Sequence, residues 1–149
     1  NWGHEVYLQH ENDEFRSLSA RWVVGAGLRY TFTPTASDKA HSLGLGLLYE
    51  DEDYLENGKA NDEETLRLNL YWVYRKNLTE TADYTSTLYF QPSLEELGDE
   101  KGLWLNAINI SVTQTIGLSV RWEVKHDTNA PDAVVATETT YKTVLIYNF

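Results

Sequence analysis

The sequence contains no cysteine, which excludes disulfides and thiolate metal sites. It has no uninterrupted apolar run near the roughly 18 residues that a membrane helix requires. Cations are scarce: 12 Lys and Arg stand against 23 Asp and Glu, for a formal net charge of -11. That balance argues against nucleic acid as a partner. No long segment shows the spacing of an amphipathic helix. No linker, low-complexity tract or exact repeat divides the 149 residues, so one domain spanning 1–149 is expected. The mean hydropathy of -0.47 is low for a membrane protein. It does not exclude a transmembrane barrel, in which only alternate residues of each strand must be apolar.

What the sequence has is alternation. Almost every segment repeats with period two, the mark of a half-buried strand. About eight strands are predicted, near 2–12, 17–33, 41–51, 64–76, 82–92, 102–113, 116–127 and 139–149. In the seventh, Leu118, Val120, Trp122 and Val124 alternate with Ser119, Arg121, Glu123 and Lys125. Between the end residues, no Asp, Glu, Lys or Arg falls on the apolar face of any predicted strand. The other face carries seven cations (Arg21, Arg29, Arg67, Arg75, Arg121, Lys125, Lys142) and six anions (Glu5, Glu11, Glu50, Asp83, Glu123, Asp127). The remaining acidic excess lies almost entirely in the connections. Long connections, Asp51–Glu63, Pro92–Lys101 and Thr128–Glu138, alternate with short ones around 77–81 and 114–115. An up-and-down barrel of the outer membrane has that asymmetry, with short turns at the periplasmic end.

Alternation alone does not say which face is inside. The near balance of mid-strand charges suits a filled polar lumen. Gly25, Gly27, Gly44 and Gly46 lie on the same face, where a narrow interior leaves little room. Aromatic residues on the apolar face gather toward strand ends, at Phe32, Tyr49, Tyr74, Tyr84, Phe90, Trp104, Tyr147 and Phe149, as interface girdles do. The fold expected is therefore all-β: an antiparallel up-and-down transmembrane β-barrel of about eight strands, with a lipid-facing apolar exterior and a charged lumen.

Two resemblances bear on this. The last strand ends Tyr147-Asn148-Phe149 and has Lys142 opening its final eight positions. It resembles the C-terminal signal of bacterial outer-membrane barrels, although Val144 stands where a glycine is usual. Tyr147 and Phe149 would then be the assembly signal, read by the barrel assembly machinery. The run His10–Arg16, then Arg21, Gly25–Tyr30, Leu43–Glu50, Asp127 with Pro131, and the ending Tyr147–Phe149 resemble a family of salt-induced outer-membrane proteins of unknown function. Members are usually longer, so the resemblance implies a barrel to which strands before Trp2 can belong. It implies location in the Gram-negative outer membrane with lipid as partner, and it supplies no catalytic residues.

Chemistry has little to rest on. Lumen ion pairs are expected among Glu5, Arg21, Glu50, Arg67, Arg121 and Glu123. With about eight strands such side chains fill the interior, making a plug and not a pore. Asp51-Glu52-Asp53 with Glu56, Asn57 and Gly58 fails the calcium-loop pattern, since Leu55 takes the fifth position. His10 and His126 lack a metal-ligand spacing, and His126 beside Asp127 is the one pair suggestive of catalysis. The expectation is no catalysis, no cofactor and no metal, with a structural or surface-interaction role. The alternatives are a small cation-preferring channel, which needs a wider barrel, and a soluble lipocalin-like binding barrel.

Overall fold

The structure is a computed structural model that describes residues 1–13, 18–32, 39–56, 59–130 and 135–147. Eight strands follow one another: β1 (Trp2–Asp13), β2 (Leu18–Phe32), β3 (Lys39–Glu56), β4 (Lys59–Asn77), β5 (Ala82–Pro92), β6 (Glu100–Ser111), β7 (Ile116–Asp127) and β8 (Thr137–Tyr147). They form one sheet in the order of the chain, and every neighbouring pair is antiparallel. The predicted strands all occur. The largest departure is in β3 and β4, which run on through most of the segment expected to be a long acidic loop. Their ladder continues past Glu50↔Thr65 to Glu52↔Glu63 and beyond, and the two-residue alternation continues with it.

The expected closed barrel is not formed. Among the described residues β1 and β8 share no pairing, and the sheet is open between them. It is nevertheless strongly curled. Strands three apart in a flat sheet are separated by about 14 Å, yet Lys101 of β6 reaches Glu50 of β3 at 2.8 Å. Six strand spacings would amount to about 29 Å, yet Lys125 of β7 meets Glu11 of β1 at 2.8 Å. The curl brings β7 within side-chain reach of the edge strand β1, but the backbones of β1 and β8 are unpaired among the described residues.

Small residues on the concave face permit this curvature. A Cβ on Gly46 would sit 3.1 Å from the Cα of Gly27, its register partner. Gly44 faces Tyr71 in the ladder, and the tyrosine ring lies over it, so a Cβ there would collide with the ring. The glycines thus give way to the backbone of one neighbour and the side chain of another.

Short connections close with few residues. At the β4–β5 turn the Leu78 amide donates to the Ala82 carbonyl, and at β6–β7 the Val112 amide donates to that of Ile116. The β5–β6 connection is more constrained. Ser93 Oγ accepts from the amides of Glu95 and Glu96, and Gly98 holds a φ of 97°, a conformation that glycine adopts without a Cβ clash. This loop sets Asp99 against Arg67.

Gly44→Ala should lower stability by roughly 1–3 kcal/mol, the usual range for overpacking. Adding Tyr71→Ala should recover part of the overpacking loss, less the cost of losing the ring itself. Denaturant unfolding of both single variants and the double variant measures the coupling; additive effects would contradict the described packing.

Candidate functional site

Alternation puts charge on the concave face and apolar groups on the convex one, and burial follows. Glu50 is 1% exposed, Arg67 2% and Asn69 2%, whereas Val6 is 84% exposed and Leu8 77%. Buried charge is costly unless it is paired, and here it is paired in a network. Glu50 accepts from Arg21 Nε through one oxygen and from Arg67 Nε through the other. Lys101 Nζ bridges Glu50 and Glu52 at 2.8 and 2.7 Å. Arg67 Nη2 also donates to Asp99 Oδ2 at 2.7 Å. Arg21 reaches Glu11 at 3.1 Å, and Lys125 adds a fourth cation at that carboxylate. The group holds Arg21, Arg67, Lys101 and Lys125 against Glu11, Glu50, Glu52 and Asp99, so its charges cancel.

Of the expected lumen residues, the structure brings together Arg21, Glu50 and Arg67. Glu5 has different company: Tyr7 OH donates to it at 2.5 Å, Tyr71 OH donates to the same oxygen, and Arg29 lies 3.2 Å from the other. Arg121 and Glu123 form no ion pair among the described residues, and Arg121 Nε instead donates to Ser119 Oγ at 3.0 Å. Glu52, Asp99 and Lys101, expected in the connections, belong to the network as well. The missed signal was in the run after Glu50: Glu52 keeps the parity of the charged face, and the strand does not stop at Asp51.

The same parity separates other neighbours. Asp51 and Asp53 lie on the convex side while Glu52 is buried on the concave side against Lys101, so the acidic run cannot act as one ligand loop. Asp51, Asp53 and Asp62 bring carboxylate oxygens within 4.8 Å of one another beyond the apolar band. Lost hydration, then Asp62, Asp53 and Glu64, holds the Asp51 carboxyl above its ordinary range. His126 is exposed and bonds Thr137 Oγ1 at 2.8 Å. Asp127 is buried on the opposite face and accepts from the Asn129 amide at 3.1 Å. They are therefore no acid–base dyad. Tyr147 pairs in register with Ile116; Phe149, the other half of the expected assembly signal, lies outside the described residues.

On the convex face a run of touching rings crosses the end that carries the short turns. Trp2 meets Tyr30 at 4.9 Å, Tyr30 meets Phe32 at 4.7 Å, and His41 meets Tyr74 at 4.9 Å. Two buried polar residues share this face among those described, Ser86 and Asn106, each 3% exposed. Aromatic polar atoms bond to each: Trp104 Nε1 donates to Ser86 Oγ at 2.9 Å, and Tyr84 OH donates to Asn106 Oδ1 at 2.8 Å, while Asn106 Nδ2 is buried without a hydrogen-bond partner among the described residues.

Fold and site together define a curled, eight-stranded meander with an ion-paired concave face and an apolar convex one. The family described as protein of unknown function, DUF481, matches residues 1–149, and the chain belongs to it. No curated protein and no solved structure matches the chain.

Arg67→Met should cost about 3–5 kcal/mol, because Asp99 and one oxygen of Glu50 would be left buried without a cation. Lys125→Met, in a more exposed pair, should cost at most about 1 kcal/mol. Urea unfolding ranks the two; equal effects would contradict the burial gradient. Asp51→Asn tests the rim. A carboxyl held above its unfolded pKa contributes stability at low pH and loses it as pH rises through the folded value. The substitution should therefore raise the melting temperature at neutral pH and leave it unchanged in acid below both values.

Proposed function

We propose that this chain is a β-barrel of the Gram-negative outer membrane, with a structural or surface-interaction role and no intrinsic catalysis. One observation carries the reading: the same strands bury charge and expose large apolar side chains. Trp2, Val6, Leu8, Leu43, Leu45 and Leu47 are each about half exposed or more on one continuous convex face. A water-soluble barrel has the opposite arrangement, and an apolar surface of this extent normally meets another apolar phase. The belt of rings at the short-turn end suits a membrane interface.

Lipid tolerates no unpaired sheet edge, so the reading requires β1 and β8 to be closed in the bilayer. The register supports closure of one against the other. The ladder row that starts at Gly3 passes through Arg29, Gly44, Tyr71, Tyr89 and Leu103 to Lys125 and ends at Glu138. Lys125 is bonded not near Gly3 but to Glu11, eight residues further along β1. Strands that tilt around a closed barrel accumulate a stagger of this kind.

The ion-paired interior favours a plug over a channel. The Arg21–Glu50–Arg67 contacts and the Tyr71–Glu5 contact cross the space that a pore would need. On this reading the acidic outer rim faces the surroundings of the cell, the barrel assembly machinery inserts the chain, and lipid is its permanent partner.

Extraction from membranes should require detergent, and folded and boiled protein should migrate differently on a gel. Leu45→Arg, at the middle of the apolar face, should destabilise the protein in bilayers by about 2–4 kcal/mol. Planar bilayers should show no steady conductance. A detergent-free monodisperse monomer that tolerates Leu45→Arg would refute the membrane reading. A stable cation-selective current would instead favour the channel.

A further inference from the structure

The concave face is satisfied on one side and not on the other. Next to the neutral network, β5 to β8 line an open cavity of about 360 Å³. Its polar lining includes Arg121, Lys142, Glu123 and the threonines Thr85, Thr87 and Thr140. Arg121 and Lys142 are register partners on adjacent strands, and both are exposed to the cavity side. Like charges directly opposite one another are destabilising unless something offsets them. Neither forms an ion pair among the described residues, and Glu123 is the one carboxylate in the lining. The anions of β1 are committed elsewhere, Glu5 to Arg29 with the two tyrosines, and Glu11 to Arg21 and Lys125.

Arg121 is also held in place. Its Nε donates to Ser119 Oγ at 3.0 Å, Ser119 Oγ donates to Asn109 Oδ1 at 2.7 Å, and Asn109 Nδ2 donates to Asp83 Oδ2 at 2.9 Å. Ser119 is 0% exposed. This chain of bonds occupies Nε, while no bond of the two terminal guanidinium nitrogens occurs among the described residues. A guanidinium presented in this way binds two oxygens of one oxyanion at once.

We propose that Arg121 and Lys142 form an oxyanion site on the concave face, taking a phosphate group with the threonine hydroxyls as further donors. The Arg121 fork sets the geometry, Lys142 adds charge, and Glu123 opposes binding and keeps the site weak. The cavity lies beside β8, and a free phosphate or the headgroup of an anionic lipid reaches it past that edge while the sheet is open, or through the barrel mouth once β8 is paired. The site depends on the concave face alone and so stands apart from the membrane reading.

The test uses the full chain folded in detergent and titrated with inorganic phosphate by calorimetry. A parallel arm uses nanodiscs of phosphatidylcholine with or without phosphatidylglycerol, followed by phosphorus NMR. Arg121→Gln and Lys142→Gln should each weaken binding by about tenfold or more, as loss of a charge-assisted contact does, and Glu123→Gln should tighten it. Arg121→Lys should fall between wild type and Arg121→Gln. Response in the calorimetric arm identifies a free anion as ligand; response only to phosphatidylglycerol identifies a headgroup. Each supports the site if Arg121→Gln or Lys142→Gln weakens it to that extent. Should Arg121→Gln fail to fold, Lys142→Gln on the exposed edge strand decides alone. No binding in either arm, or folded variants that bind like wild type, would overturn the proposal.

Discussion

Glu50 is the point on which the concave face depends. Its carboxylate is almost wholly buried and receives Arg21, Arg67 and Lys101 from three other strands. A lone carboxylate there would have to be protonated or rehydrated, and three unpaired cations would repel one another. The ion pairs therefore require the curl, because only a curled sheet brings β6 over β3. The curl in turn requires the glycines of β2 and β3, since a Cβ at Gly44 or Gly46 would occupy space already taken by Tyr71 or by the backbone around Gly27. Charge and curvature are one constraint.

That constraint accounts for the distribution of order across the sheet. The β3–β4 hairpin is the longest, and Glu50, Glu52 and Arg67 on it are buried. Towards the edges the cover thins. Tyr141 and Leu145 of β8 are 77% and 73% exposed, above the 36–54% of Leu43, Leu45, Leu47, Leu70 and Trp72 in β3 and β4. Edge strands lack a neighbour to shade them. The apolar excess on the convex face and the unpaired edges raise the same question, and a bilayer with closure of the sheet answers both in the proposed reading.

The concave face also divides into two kinds of polar environment. Around Glu50 four cations meet four anions and no charge is left over. Around Arg121 the hydrogen-bond chain through Ser119 and Asn109 fixes a cation without neutralising it. The first arrangement resists change, and the second leaves capacity for a ligand. In a chain of net charge -11, two cations stand side by side with no ion pair among the described residues, and their mutual repulsion is left for a ligand to offset.

The sequence by itself determined the strands, their number and the face on which each side chain falls, because a period of two is a local property that each residue obeys independently of the rest. It therefore identified Arg21, Glu50 and Arg67 as residues of one face. It did not determine which of them would meet. Arg121 and Glu123 share that face yet form no ion pair, while Lys101 and Asp99, read as loop residues, join Glu50 and Arg67 from β6 and its preceding connection. Such contacts depend on how far the sheet curls and by how many residues the ladder climbs, quantities that add up over seven pairings. The tertiary structure also decided that the last and first strands stop short of backbone pairing. Local alternation sets the side a residue faces; only the accumulated geometry of the whole sheet sets its partner.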